Sequence, residues 1–254
     1  MLGVGAYLLP PAIALALAAA VWELWVRIGG VAEYLVPAPS AILSDLFVDI
    51  EYFAFHGAIT LGESLGGFAM GATVAITGAI IMSQSRALER SLLPLAVLVK
   101  VTPIVAVAPL FVIWFGFGSF PKILVASLIT FFPVLVNTLA GLRSASPEAL
   151  DLFKSLDASN AEVLWKLRGF SALPFMFAAF RIAVPLSVIG AVVGEWFTGD
   201  RGLGSVIIVA HNDLNMPRLF ASVVVLAVIG ISLTALTWYG EKRILFWHES
   251  ERAV

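Results

Sequence analysis

Five ionisable side chains fall inside long apolar stretches of this 254-residue sequence: Glu23, Glu63, Lys100, Arg181 and Glu195. Charge placed in hydrocarbon is costly and marks pairing or a polar pathway. Arg181 and Lys100 enter their stretches from the same side, 7 and 8 residues deep. Either they snorkel back to that surface, or they line or close the inner end of a passage. Glu195, beside Gly194, stands at the opposite end. It reads as an outer-mouth group, a contact for a docking protein or a simple interfacial acid. Glu23 and Glu63 read as structural. Thr102, Thr130, Asn137 and Ser187 add uncharged polar groups, each of which lines a passage or bonds its own helix backbone.

Nothing in the sequence converges for catalysis. His56, His211 and His248 are scattered over separate segments, so no metal site is expected. Cysteine is absent, which removes disulfides and thiol chemistry. No G-x-x-x-x-G-K-[ST] loop occurs, so any nucleotide hydrolysis belongs to another chain. The run Gly199-Asp200-Arg201-Gly202-Leu203-Gly204 reads as a connecting turn. The chain is therefore expected to be non-catalytic, with no cofactor of its own.

The elements that must hold these residues follow from composition. Hydrophobic residues make up 60% of the chain, charged residues 13%, and mean hydropathy is +0.99. Soluble domains carry about 25% charge, so the fold class expected is an all-α polytopic membrane protein. The net charge of −2 offers no footprint for nucleic acid. A span needs roughly 20 apolar residues. Six stretches qualify, near 7–28, 58–82, 92–116, 120–143, 174–197 and 219–240, in one domain over 1–254. The first lacks a basic start and is too long for a signal-peptide core, so it reads as a retained span.

Orientation rests on Lys and Arg. One side holds nine: Arg86, Arg90, Arg143, Lys154, Lys166, Arg168, Lys242, Arg243 and Arg252. The other holds four: Arg27, Lys122, Arg201 and Arg218. Both termini are thus expected in the cytoplasm. Gly62/Gly66, Gly67/Gly71 and Gly190/Gly194 have the small-xxx-small spacing of close helix approach. Pro103, Pro109, Pro133 and Pro185 bend their spans. Bent spans with small faces suit a pathway opening on alternate sides, lined by the third, fourth and fifth spans.

Two segments lie outside the spans. Residues 30–57 contain an external amphipathic helix with Ser40 as its N-cap; Ile42, Leu43, Leu46 and Phe47 follow helical spacing, with Asp45 and Asp49 on other faces. Residues 145–172 form a cytoplasmic helix, turn and second helix. Ser146-Pro147-Glu148 starts the first, and a second pattern follows Asp157-Ala158-Ser159-Asn160. Its apolar face lies on the inner membrane surface or docks into a groove on a soluble partner.

The ordered motifs along nearly the whole chain resemble permease subunits of bacterial ABC importers, in the nitrate/sulfonate/taurine-type branch. These motifs are Trp22-Glu23, Val36-Pro37-Ala38-Pro39-Ser40, Thr102-Pro103 to Ala108-Pro109-Leu110, Trp114-Phe115-Gly116-Phe117-Gly118, Phe132-Pro133-Val134 to Asn137-Thr138, Ala140-Gly141-Leu142-Arg143-Ser144 and Gly199-Asp200-Arg201-Gly202-Leu203-Gly204. The resemblance implies a type I importer permease with a coupling helix at 145–172 and no chemistry in this chain. It also implies two ATPase subunits carrying ATP and Mg, a second permease copy or homologue, and an external binding protein. The family signature Glu-Ala-Ala, three residues, then Gly falls on Asp151-Leu152-Phe153 and Asp157. By that alignment the ATPase-coupling residues are Glu148, Asp151, Leu152, Phe153, Ser155, Leu156 and Asp157. Leu and Phe replace small residues and Asp157 replaces a Gly, so pairing with a different, more typical permease is one expectation. The branch carries sulfonates, nitrate and taurine-like anions, or pyrimidine- and riboflavin-type compounds. The rival is a secondary transporter driven by an ion gradient. Such proteins usually show internal repeats, and none is evident.

Overall fold

A computed structural model describes residues 4–246, with side chains from residue 9 onward. His248 and Arg252 lie outside the described residues. The order is α1 (Val4–Ile28), α2 (Pro39–Val48), α3 (Ile50–Ser83), α4 (Arg86–Val101), α5 (Ile104–Phe115), α6 (Ser119–Leu142), α7 (Pro147–Ser155) and α8 (Asn160–Glu162). A π-helical segment, Val163–Arg168, then leads into α9 (Gly169–Thr198), α10 (Leu203–Asn212) and α11 (Met216–Ile244). Five helices are long and apolar enough to cross a membrane, six if α4 and α5 count as one broken span. The chain is an all-α polytopic membrane protein.

The third expected span, 92–116, is not one rod. α4 and α5 meet at 94°. Pro103 brings no backbone N–H and forces the residue before it out of the helical region. Thr102 accordingly takes φ −68°, ψ 125°. Pro109, Pro133 and Pro185 sit inside helices that continue past them.

The core is the stack α3–α6–α9. On α6, Lys122, Ala126 and Thr130 recur every four residues and form one stripe. Gly67 and Gly71 press on it from α3, Gly190 and Gly194 from α9. A Cβ on Gly67 would lie 2.3 Å from the Cβ of Ala126, and one on Gly190 2.5 Å from its Cα. Neither site admits alanine without separating the helices. Gly66 packs on Ile123, but Gly62 faces open space, so that pair contributes at one member only.

Ser40 does not cap α2. The cap position is Ala38, followed by Pro39. Ser40 lies inside the first turn, and its N–H donates to the Glu23 carboxylate of α1 at 3.0 Å. Its hydroxyl donates to the same group at 2.8 Å, and Arg27 Nε completes the cluster at 2.5 Å. An acid from another helix satisfies the first turn of α2. Arg218 of α11 pairs with Asp45 and Asp49, fastening α2 to α11.

The 145–172 segment folds as the pattern predicts. Ser146 caps α7 by accepting from Ala149 N at 3.2 Å. Asp157 takes φ +51°, a left-handed conformation that Asp tolerates better than most non-glycine residues. Ser159 and Glu162 form a capping box. The second helix does not stop. It runs through the π segment directly into α9.

Candidate functional site

One polar cluster lies at the end of the bundle where α3 begins and α9 ends. His56, Thr60 and Glu63 are spaced to share one face of α3. Lys122 lies in the first turn of α6, Glu195 in the last turn of α9. The Gly199–Gly202 turn leads into α10. Glu63, Lys122, Glu195 and Thr60 are all buried, with Lys122 1% and Glu195 0% exposed.

Lys122 joins three elements. Its Nζ lies 2.8 Å from Asp200 Oδ1 and 3.2 Å from Glu63 Oε1, and donates to the Arg201 carbonyl at 3.0 Å. Two carboxylates and a carbonyl thus surround the ammonium. Glu63 is held there by its ion pair with Lys122. Burial by itself would raise the Asp200 carboxyl. The Lys122 ammonium and the Arg201 N–H outweigh it and hold Asp200 below its ordinary value.

The same cluster caps α10. Three N–H groups at its start would be orphaned by burial. Gly202 N donates to His56 Nδ1 at 3.0 Å, Leu203 N to Thr60 Oγ1 at 2.9 Å and Gly204 N to Glu195 Oε2 at 2.5 Å. The Thr60 hydroxyl in turn donates to Glu195 Oε1 at 2.6 Å. Gly202 has φ +103°, and a Cβ there would overlap Glu195 Oε1 at 2.0 Å. Only glycine fits. The cluster is a charged lock that ties α3, α6 and α9 to the following turn.

Of the residues singled out in the sequence, this lock collects Glu63 and Glu195. Glu195 is enclosed. Lys100 stands over the Phe132 ring, 4.7 Å from its centroid, and exposed Thr102 donates to Leu98 O. Arg181 pairs with Glu241 of α11 at 2.5 Å. Thr130 and Ser187 are buried and donate to their own helices, Asn137 to Pro133 O at 2.8 Å. These residues do not converge on one another. Lys122, Thr60, His56 and Asp200 were missed as site residues. The three-, four- and seven-residue spacings among His56, Thr60 and Glu63, opposite a lysine opening an apolar helix, are the signal that finds them.

At the other end, Leu152 of α7 and Leu156 at its C-cap are 57% and 68% exposed. Among the described residues nothing covers them. Asp151 and Lys154 pair with each other beside them at 2.8 Å. Glu148, Ser155 and Asp157 are exposed and Phe153 is half-buried.

Residues 67–245 match the family described as binding-protein-dependent transport system inner membrane component. The chain belongs to that family. The match takes in the α6 stripe, the lock's Lys122 and Glu195, α7 and α9. A probable ABC transporter permease protein of Haemophilus influenzae is 35% identical, over 89% of this chain and 92% of its own. The formylaminopyrimidine transport permease ThiX of Halalkalibacterium halodurans is 33% identical, over 91% and 92%. The riboflavin transport system permease RibX of Chloroflexus aurantiacus is 32% identical, over 90% and 86%. Permeases of this kind are generally non-catalytic subunits.

Proposed function

We propose that this chain forms the translocation pathway of an ATP-driven importer, receiving a small solute from an external binding protein. It performs no hydrolysis itself; ATP and Mg act on two partner ATPase subunits, and a second permease completes the pathway. Both termini lie in the cytoplasm. The observation that carries this reading is the Leu152–Leu156 ridge of α7, continued through α8 and the π segment into α9. α9 has 30 residues, about 45 Å of helix, and ends in the lock at Glu195. A push on α7 therefore passes through the Asp157 turn, α8 and the π segment into α9, which runs to the opposite end. Docking of the ridge in an ATPase groove would tilt α9 and shift the lock between two arrangements.

The coupling residues are Glu148, Asp151, Leu152, Phe153, Ser155, Leu156 and Asp157, with the leucines as anchors and Asp157 as the turn. Lys100, Thr102, Asn137 and Arg181 are the pathway-facing polar groups in this reading. Thr130, Ser187 and Glu195 act by holding the helices that move. The relatives named for formylaminopyrimidine and riboflavin favour a heteroaromatic solute. Sulfonate and taurine permeases of the same branch are 28% and 29% identical.

The test is uptake in proteoliposomes holding the complete transporter. Leu152→Glu with Leu156→Glu should abolish ATP-driven uptake and leave the melting temperature of the permease unchanged. Unaltered uptake in that variant, or uptake driven by an ion gradient without an ATPase, would overturn the reading. Labelled riboflavin or formylaminopyrimidine competing against taurine tests the solute class.

A further inference from the structure

We propose that the root of the 145–172 segment holds an anionic phospholipid, with its phosphate on three arginines and an acyl chain in an adjoining apolar pocket. Arg86 opens α4, Arg143 ends α6 and Arg168 closes the π segment. All three line one recess of about 350 Å³, together with Ser83, Ser85 and Leu150. Arg143 is paired with Glu89. Arg86 and Arg168 have no carboxylate partner among the described residues, so the recess keeps an excess of positive charge. Guanidinium groups bind phosphate oxygens through paired N–H donors. Basic recesses between the cytoplasmic ends of spans suit lipid headgroups.

The neighbouring pocket supplies what a free phosphate does not need. It shares Leu142 with the recess, has Gly169, next to Arg168, in its lining, and has a volume of about 240 Å³. Ile76, Ile80, Leu164, Trp165 and Met176 line it. One polar group enters it. The Thr138 hydroxyl is 1% exposed and its Oγ1 has no hydrogen-bond partner. A buried hydroxyl without a partner is costly. It stands one helical turn below Leu142, at a depth that suits the ester carbonyl beneath a phosphate. Phosphate, ester and acyl chain thus each meet a matching group in order from the helix ends inward. The π segment forms one wall, so a bound lipid braces the base of α7 and α8 against α3 and α6.

Native mass spectrometry of the full chain, taken from mixed micelles with phosphatidylglycerol or phosphatidylcholine, reads the retained lipid directly. Phosphatidylglycerol should be retained preferentially. Arg86→Gln and Arg168→Gln should each weaken retention roughly five-fold, the factor for one guanidinium facing an anionic headgroup. Arg90→Gln, outside the recess, should leave it unchanged. Thr138→Val, nearly isosteric, should weaken it further while the melting temperature holds. Equal retention of both lipids, or no effect of the arginine changes in folded protein, overturns the proposal. Displacement of the lipid by millimolar inorganic phosphate would make this a soluble-anion site, and stoichiometric displacement by added ATPase subunit would make it a protein interface. Either result also overturns it.

Discussion

The two ends of the molecule solve opposite problems. At the end where α9 stops, Glu63, Lys122 and Glu195 are buried, and the charges of the lock are answered from within the chain. Lys122 meets Asp200, Glu63 and a carbonyl, and Glu195 meets Thr60 and Gly204. At the α7 end, apolar side chains stand in the open. The lock is finished at one protomer; the ridge is finished only by something else. On the proposed function, stability concentrates at one end and coupling at the other, and substitutions should separate the two.

The largest effect on folding is expected from Lys122→Met. It leaves Glu63 and Asp200 without their counter-charge, and breaking a buried pair costs about 3–5 kcal/mol. A melt in detergent should show it, and a near-native melting temperature would remove the lock as a source of stability. Gly202→Ala comes next. It forces an alanine to φ +103° against the Glu195 carboxyl, and strain of this kind costs about 1–3 kcal/mol. At the other end, the Leu152→Glu, Leu156→Glu pair should move stability by less than about 0.5 kcal/mol, as exposed positions do, while uptake collapses. If the ridge change melts the fold, α7 belongs to the core and the contrast fails.

The smallest effect concerns pH. The folded-state Asp200 carboxyl is held below its ordinary value. Its contribution is fully present above that ordinary value and is lost as pH falls through the depressed one. Melting temperature should therefore fall on acidification below about pH 4, and Asp200→Asn should flatten that part of the profile.

Much of this was legible in the sequence because lipid is a demanding solvent. Long apolar runs had to be helices, and two of the three small-xxx-small pairs are contacts at both members, as Gly67, Gly71, Gly190 and Gly194 show, while Gly62 faces open space. Asp157 follows α7 in a short polar run, where Asp tolerates the left-handed angle it takes. The Thr102–Pro103 break was half visible: proline announces a bend, but not whether a span tilts or turns through 94°. The lock was hidden because its members are distant in sequence. Lys122 counted as a loop cation and Glu63 as a structural acid until α3, α6 and α9 were stacked. Ser40 misled because it resembles a cap and is placed two residues too deep.

α1 lies almost wholly outside the packing, with 6% of its apolar window buried. Its footholds are Glu23 and Arg27 at Ser40, and Trp22 against Phe220 at 5.8 Å between ring centroids. Both sit near the same tip. A helix moored at one tip swings when the bilayer thins or thickens, because mismatch is relieved by tilt. Changes in membrane thickness should thus be absorbed by this outrigger, leaving the three-helix stack beside it undisturbed.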